Sequence, residues 1–177
     1  MSIRSLVPLL VLPVMMAGCL DAIAPEEFED PPIEAVAFDA SLNIDLADFE
    51  LEDSGIWVRD DEPGEGDPIV MGQEAGFYYT GWVATGQQFD EVSESDGAPP
   101  EFALGTPGPI AGLTLGLLGM RLGGERTVLV PPSLGFGWAD LVGVPAGSWL
   151  VLGIRLVSID GETEPPAEDP DGSGATS

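Results

Sequence analysis

The sequence of 177 residues contains no histidine and no lysine, and its single cysteine is Cys19. Without histidine, the Ser–His and Cys–His pairs that activate a nucleophile cannot form, and the common zinc ligand sets are incomplete. One cysteine also excludes a disulfide within the chain. The composition therefore favours a function that needs neither an activated nucleophile nor a metal, and we expect no cofactor.

Positive charge is equally scarce, because five arginines stand against 31 Asp and Glu residues, for a net charge of −26. Proteins bind nucleic acid largely by neutralising phosphates with basic side chains, so we expect no nucleic-acid partner. Residues 20–54 and 160–177 hold 18 of the 31 acidic residues and no arginine. Like charges mixed with proline favour solvated chain. We therefore predict a spacer at 20–37 and a disordered acidic tail at 161–177.

The N-terminus lacks an apolar run long enough for a bilayer span. The apolar residues 5–16 follow Arg4 and fall short of the roughly 20 residues that a spanning helix needs. Residues 16–19 read Met-Ala-Gly-Cys and resemble the bacterial lipobox, in which the cysteine becomes the lipid-modified first residue. We therefore predict a lipoprotein signal peptide at 1–18, lipidation of Cys19 and a lipid anchor in the membrane. The alternative is an ordinary signal peptide with a chance cysteine.

The residue after the cysteine is Leu20 rather than aspartate. By resemblance to lipoprotein sorting, this choice favours the outer membrane over the inner one. The predicted location is thus the bacterial envelope, on the outer membrane and facing the periplasm.

The middle of the chain carries strand patterns. Residues 74–84 and 148–159 alternate apolar and other side chains, as half-buried strands do. Further strands are predicted at 55–59, 101–104 and 125–130. Between Pro109 and Met120 the apolar spacing changes to three and four, which predicts one short helix, although each of its glycines costs about 1 kcal/mol against alanine. These elements predict an α+β domain with one curved antiparallel sheet and one helix.

Seven short motifs follow one another through this region. They are 79–82 (YTGW), 89–90 (FD), 102–105 (FALG), 109–112 (PIAG), 116–126 (GLLGMRLGGER), 131–137 (PPSLGFG) and 144–145 (VP). In order and spacing the series resembles the FKBP-type peptidyl-prolyl cis-trans isomerases over residues 55–159. With the lipobox, it suggests a small bacterial lipoprotein member of that family.

The resemblance implies an FKBP-like antiparallel β-sheet of five to six strands wrapped around one short α-helix. It sets the isomerase domain at 55–160 and leaves 19–54 as an acidic linker and lead-in. The implied activity is peptidyl-prolyl cis-trans isomerisation that assists the folding of exported proteins. The implied partners are proline-containing exported polypeptides, and the protein is expected to be a monomer.

The resemblance also assigns a substrate pocket between helix and sheet. Three residues are implied to be catalytic: Asp90 as an ionised group that holds Tyr79, and Phe136 in the wall. The backbone N–H of the residue matching Ile110 is implied to grip a substrate carbonyl. The full implied lining is Tyr79, Phe89, Asp90, Phe102, Pro109, Ile110, Leu113, Phe136, Val144 and Leu152.

Two positions depart from the family pattern. Leu113 stands where the family usually has tryptophan, and Phe136 stands where it usually has tyrosine. The second change removes a hydroxyl whose hydrogen bond is worth about 0.5–1.5 kcal/mol net. These departures keep a second reading open, a catalytically weakened FKBP-like protein-binding module. A third reading is a purely structural envelope lipoprotein, which would have no need of Asp90.

Overall fold

The computed structural model describes residues 29–163. Within them the chain forms one α-helix, five short 3-10 helices and eight strands. The α-helix, α1, spans Ala111–Leu117, and the 3-10 helices are Ile33–Ala35, Ala40–Leu42, Leu46–Asp48, Glu94–Asp96 and Pro132–Leu134. The strands are β1 (Glu50–Leu51), β2 (Trp57–Glu62), β3 (Glu74–Val83), β4 (Gln88–Val92), β5 (Glu101–Ala103), β6 (Glu125–Val130), β7 (Leu150–Ile159) and β8 (Glu162–Thr163).

The paired strands form one antiparallel sheet in the order β1-β2-β6-β7-β3-β4, with β5 on β3 and β8 on β7. The predicted α+β class, an antiparallel sheet with one short helix, is confirmed. The sheet has eight strands rather than five to six. The surplus comes from β1 and β8, each of two residues, which are too short to leave a periodic pattern in the sequence.

Glycines let α1 lie directly on the inner face of the sheet. A Cβ atom added to Gly112 would come within 2.3 Å of Val130 Cγ1, and one added to Gly116 within 2.9 Å of Val128 Cγ2. The two glycines lie one turn apart and present a smooth strip to β6. Their low helix propensity, about 1 kcal/mol each, is therefore offset by close packing.

Arg126 of β6 holds the C-terminal end of α1. Its Nη1 donates to the carbonyl oxygens of Gly116 and Leu118 at 3.1 and 2.9 Å, and its Nε lies 2.6 Å from Asp60 Oδ1. The last carbonyls of a helix have no partner within the helix. Arg126 therefore satisfies two of them from the sheet, fixing the helix against β6.

The outer face of the sheet is covered by the chain that precedes β1. Trp57, Leu129, Val151 and Trp82 form a row across four strands. Residues 30–49, here called the lead-in strap, cross this row and pack with it in a second hydrophobic cluster. Two of the strap's side chains, Ile33 and Phe49, are buried there.

The strap is also tied to the domain by a side-chain hydrogen bond, in which Trp149 Nε1 donates to the Pro31 carbonyl oxygen at 3.0 Å. The acidic segment expected to act as a spacer at 20–37 therefore lies against the sheet from residue 30 onwards. The predictions for the signal peptide at 1–18, for lipidation of Cys19 and for most of the tail at 161–177 lie outside the described residues.

Candidate functional site

Tyr79 and Asp90 meet at the inner face of the sheet. The Tyr79 hydroxyl donates a hydrogen bond to Asp90 Oδ2, and Asp90 Oδ1 accepts one from the Glu91 backbone N–H at 2.9 Å. Burial, the hydrogen bond and the negative charge of Asp90 together raise the pKa of Tyr79 well above its usual value of 10. Tyr79 is therefore neutral at physiological pH and remains a hydrogen-bond donor.

A β-bulge brings Phe89 to the same side as Asp90. Asp90 pairs with Gly81 and Gln88 pairs with Trp82, so Phe89 is an extra residue between two successive pairs. Neighbouring residues of a regular strand point to opposite faces, whereas a bulge re-aims the side chain of the extra residue. Phe89 packs against the main hydrophobic core, beside the Tyr79–Asp90 pair.

Four half-buried aromatic rings, Tyr79, Phe89, Phe102 and Phe136, pack around the main core and are called the aromatic wall below. Phe89 and Phe136 meet edge to face, with ring centroids 5.6 Å apart and planes at 85°, a geometry that aromatic pairs prefer. Each ring is packed on one side and keeps some of its surface in solvent. The wall therefore offers partly exposed apolar surface next to one carboxylate.

The N-terminal end of α1 adds backbone donors. Ile110 is its N-cap residue, is buried, and has no side-chain cap hydrogen bond. Within the described residues the backbone N–H of Ile110 has no recorded acceptor. Leu113, one turn further on, is 4% exposed and belongs to the main core. This end of the helix therefore combines an apolar side chain with unpaired N–H groups, as helix starts do.

The other residues implied by the resemblance lie around this arrangement. Leu152 of β7 and Val144 of the loop before it are buried in the main core. Pro109 is exposed just before the N-cap of α1. Eight of the ten residues of the implied lining therefore lie in the main core or pack against it. The structure joins Asp90 to them through Tyr79 and leaves Pro109 on the surface.

Two features of the site escaped the sequence reasoning. The first is the bulge at Phe89, whose ring leaves room only for a glycine at position 81. The second is the contact of Asp30 with Ser133, in the loop that leads to Phe136. The signal for that contact was the apolar residues spaced through the acidic strap, including Ile33, Phe38 and Phe49.

Residues 29–163 hold neither a cluster of metal ligands nor a helix suited to spanning a membrane. No group of three or more Cys, Asp or Glu side chains is placed to hold a metal ion. In the same part of the chain, no helix has the length and apolar character that crossing a bilayer requires.

The family model described as FKBP-type peptidyl-prolyl cis-trans isomerase matches residues 66–157. Among curated proteins, FK506-binding protein 3 of Debaryomyces hansenii is 40% identical over 105 residues, which cover 59% of this chain and 24% of the relative. FK506-binding protein 3 of Candida albicans is 39% identical over the same shares of the two chains. The chain thus spans about a quarter of the length of these relatives.

Solved structures agree with the fold. FkpA from Escherichia coli superposes with a TM-score of 0.56 at 29% identity, covering 67% of this chain and 53% of that one. AtFKBP13 gives a TM-score of 0.54 at 32% identity, covering 61% of this chain and 95% of that one.

The predicted location on the bacterial outer membrane is wrong. The curated relatives are fungal FK506-binding proteins 3 and 4, which are not bacterial outer-membrane lipoproteins. The prediction rested on a four-residue lipobox match and one neighbouring residue. So short a pattern carries little physical information, because an ordinary secretory signal also ends its apolar run in small residues.

Proposed function

Because the chain belongs to the FKBP-type peptidyl-prolyl cis-trans isomerase family, we propose that the aromatic wall, Asp90 and the start of α1 catalyse rotation about X-Pro bonds. The observation that carries the proposal is the Tyr79–Asp90 hydrogen bond set beside the edge-to-face pair Phe89–Phe136. It joins one carboxylate to a partly exposed aromatic surface, the combination that the family resemblance assigns to catalysis.

The reaction makes modest chemical demands. Resonance gives the X-Pro bond partial double-bond character, with a barrier of about 18–20 kcal/mol, and no covalent bond is broken. The twisted amide has lost conjugation, so an apolar surface that excludes water and fits this form best lowers the barrier by differential binding. The rings of the aromatic wall and the buried Leu113 supply such a surface.

The polar groups of the site are proposed to orient the substrate amide. The backbone N–H of Ile110, without a recorded acceptor in the described part of the chain, is the proposed donor to a substrate carbonyl. The neutral Tyr79 holds the Asp90 carboxylate. No ion pair to Asp90 is recorded among the described residues, so its negative charge faces the amide without a neutralising arginine.

The proposed substrates are polypeptides that contain proline, and the proposed state is a monomer. The chain covers both faces of its sheet, with α1 on the inner face and the strap on the outer face, which supports a domain complete in one copy. The narrower class of exported substrates depended on an envelope location that the relatives do not support. Gel filtration of the full chain tests the monomer.

The test of the activity is isomerisation of a short X-Pro peptide by the full chain. Asp90→Val, Asp90→Asn and Tyr79→Phe should each lower kcat/KM by about tenfold to a hundredfold, the range for a lost hydrogen bond to a charged group. Asp160→Asn is the matched control, since Asp160 also accepts two hydrogen bonds, from Glu74 N–H and Gln73, away from the aromatic wall. Equal rates for wild type and Asp90→Val would remove Asp90 from the mechanism.

The second candidate function is a protein-binding module with weakened catalysis. It is favoured by two observations: Leu113 is buried and has no polar atom to offer, and Phe136 contributes a ring without a hydroxyl. Background rates for the folded wild-type chain, together with binding of proline peptides or of FK506, the compound in the relatives' names, would select this candidate.

A further inference from the structure

The loop that carries Phe136, residues 131–137, is held by backbone hydrogen bonds that do not use the Ser133 N–H. Pro131 and Pro132 have no N–H. Gly135 donates to the carbonyl of Pro131 at 3.1 Å, and Gly137 donates to that of Pro132 at 2.8 Å. Ser133 lies inside this turn, and its N–H has no backbone acceptor recorded among the described residues. The backbone of the loop therefore leaves the Ser133 N–H without a partner of its own.

The strap supplies the missing acceptor. Asp30 Oδ1 accepts from the Ser133 backbone N–H at 2.8 Å, and Asp30 Oδ2 accepts from the Ser133 hydroxyl. Both bonds end on a carboxylate, and such charge-assisted bonds are stronger than neutral ones. They join positions 103 residues apart in the chain. This separation indicates a tertiary clamp rather than a local turn.

Asp30 is itself held in place by the residues that follow it. The Pro31 carbonyl accepts from Trp149 Nε1 at 3.0 Å, and Ile33 is 4% exposed in the outer hydrophobic cluster. Pro32 has φ −59° and ψ 137°, an extended conformation that proline favours. The carboxylate is thus presented by a docked and conformationally restricted segment.

We propose that Asp30 is a positioning residue, which clamps the loop of residues 131–137 through Ser133 and so fixes Phe136 against Phe89 in the wall of the site. The connection is short, because Ser133 is three residues from Phe136 and the edge-to-face contact fixes the other side of that ring. The consequence for catalysis rests on the proposed isomerase function, whereas the clamping of the loop does not. The strap is accordingly part of the working domain.

The test compares Asp30→Ala, Asp30→Asn and wild type as full chains, using hydrogen exchange read by mass spectrometry and peptide isomerisation. In Asp30→Ala, exchange of the 133–137 segment should accelerate about tenfold or more, as expected for losing bonds to a charged group, while exchange of β7 stays unchanged. kcat/KM should fall severalfold, because a displaced Phe136 weakens the apolar surface that fits the twisted amide. Asp30→Asn keeps one carbonyl acceptor for the Ser133 N–H. This variant should therefore show exchange of the loop and peptide isomerisation close to those of the wild type.

Asp39→Ala is the matched control, because Asp39 accepts from the N–H and the hydroxyl of Ser41 in the same strap. It should alter neither the exchange of the loop nor kcat/KM. Unchanged exchange at 133–137 in Asp30→Ala would overturn the proposal. If Asp30→Ala unfolds, Ser133→Ala removes the hydroxyl bond alone and should speed exchange of the loop selectively. Equal acceleration of loop and β7 in that variant would overturn the clamp. Loop acceleration without any wild-type isomerisation would instead refute the proposed function.

Discussion

The ring of Phe89 lies over the backbone of Gly81, so close that a Cβ atom on Gly81 would come within 2.6 Å of Phe89 Cζ. Gly81 belongs to β3 and pairs with Asp90, the residue after the bulge. The missing side chain on one strand therefore makes room for the extra residue of the other. This relationship lets Phe89 and Asp90, neighbours in the chain, serve the same site.

Gly81→Ala should displace the Phe89 ring and disturb the site. Overpacking of this kind costs about 1–3 kcal/mol of stability, and kcat/KM should fall because Phe89 forms part of the aromatic wall. Gly153→Ala is the control on the opposite face of the same sheet, where the added Cβ would meet Trp82 at an ordinary 3.5 Å. Urea unfolding and the peptide assay measure both variants. Equal stability and rates for the two alanine variants would contradict this account.

The strands β3, β6 and β7 and the helix could be predicted from the sequence, because alternation and helical spacing report burial on one face of a single element. The bulge at Phe89 could not be predicted in that way. It depends on the fit of one ring against Gly81 of another strand, and no local pattern records such a fit.

The strap was missed for a different reason. Its acidic residues suggested solvated chain, yet the apolar residues between them are the ones that contact the sheet, as Ile33 and Phe49 show. One segment can expose its charged side chains to solvent while its apolar side chains pack against the sheet. Asp30, an acid near the start of this segment, is half-buried and makes a tertiary hydrogen bond to Ser133.

The titration of Tyr79 tests the electrostatics of the site. Its pKa is raised above 10 first by burial and then by the hydrogen bond and charge of Asp90, so Asp90→Asn should lower it while leaving the effect of burial. Because the folded pKa lies above the unfolded value, the stabilisation is complete below pH 10 and is lost as pH rises towards the folded pKa. Ultraviolet titration of the phenols measures the shift. The curve of Tyr79→Phe, in which Tyr78 is the remaining tyrosine, is subtracted from the wild-type curve to give the titration of Tyr79. A pKa at the ordinary value in wild type would contradict it.

Arg126 should matter more to stability than Arg155. The Arg126 side chain is 11% exposed and bonds the end of α1 and Asp60, so Arg126→Gln should cost about 1.5–3 kcal/mol, as for hydrogen bonds to a charged group. Arg155 pairs with Glu94 and, at 3.8 Å, with Glu125 on the surface, and such exposed pairs contribute about 0–1 kcal/mol each. Urea unfolding of Arg126→Gln and Arg155→Gln compares them directly. The reverse order would show that α1 does not depend on this anchor.

The two departures from the family pattern can be reversed separately. Phe136→Tyr adds a hydroxyl at a half-buried ring, and one hydrogen bond of about 0.5–1.5 kcal/mol should tighten FK506 binding by about twofold to tenfold. Phe38→Tyr is the control, because Phe38 is a half-buried phenylalanine of the strap on the other face of the sheet. It should leave FK506 affinity unchanged. Equal tightening by both variants would mean that the new hydroxyl at 136 does not reach the ligand.

Leu113→Trp is the harder reversal, because Leu113 is 4% exposed and already packed within the main core. A larger ring there should overpack and lower the free energy of unfolding by about 1–3 kcal/mol. If the ring instead occupies space that a ligand would fill, affinity for FK506 should rise while peptide turnover changes little. Following calorimetric binding and thermal unfolding together separates the two effects. A variant that loses stability and gains no affinity would show that position 113 is core rather than part of the ligand site. The binding contribution would then lie with Ile110, Phe136 and the rest of the aromatic wall.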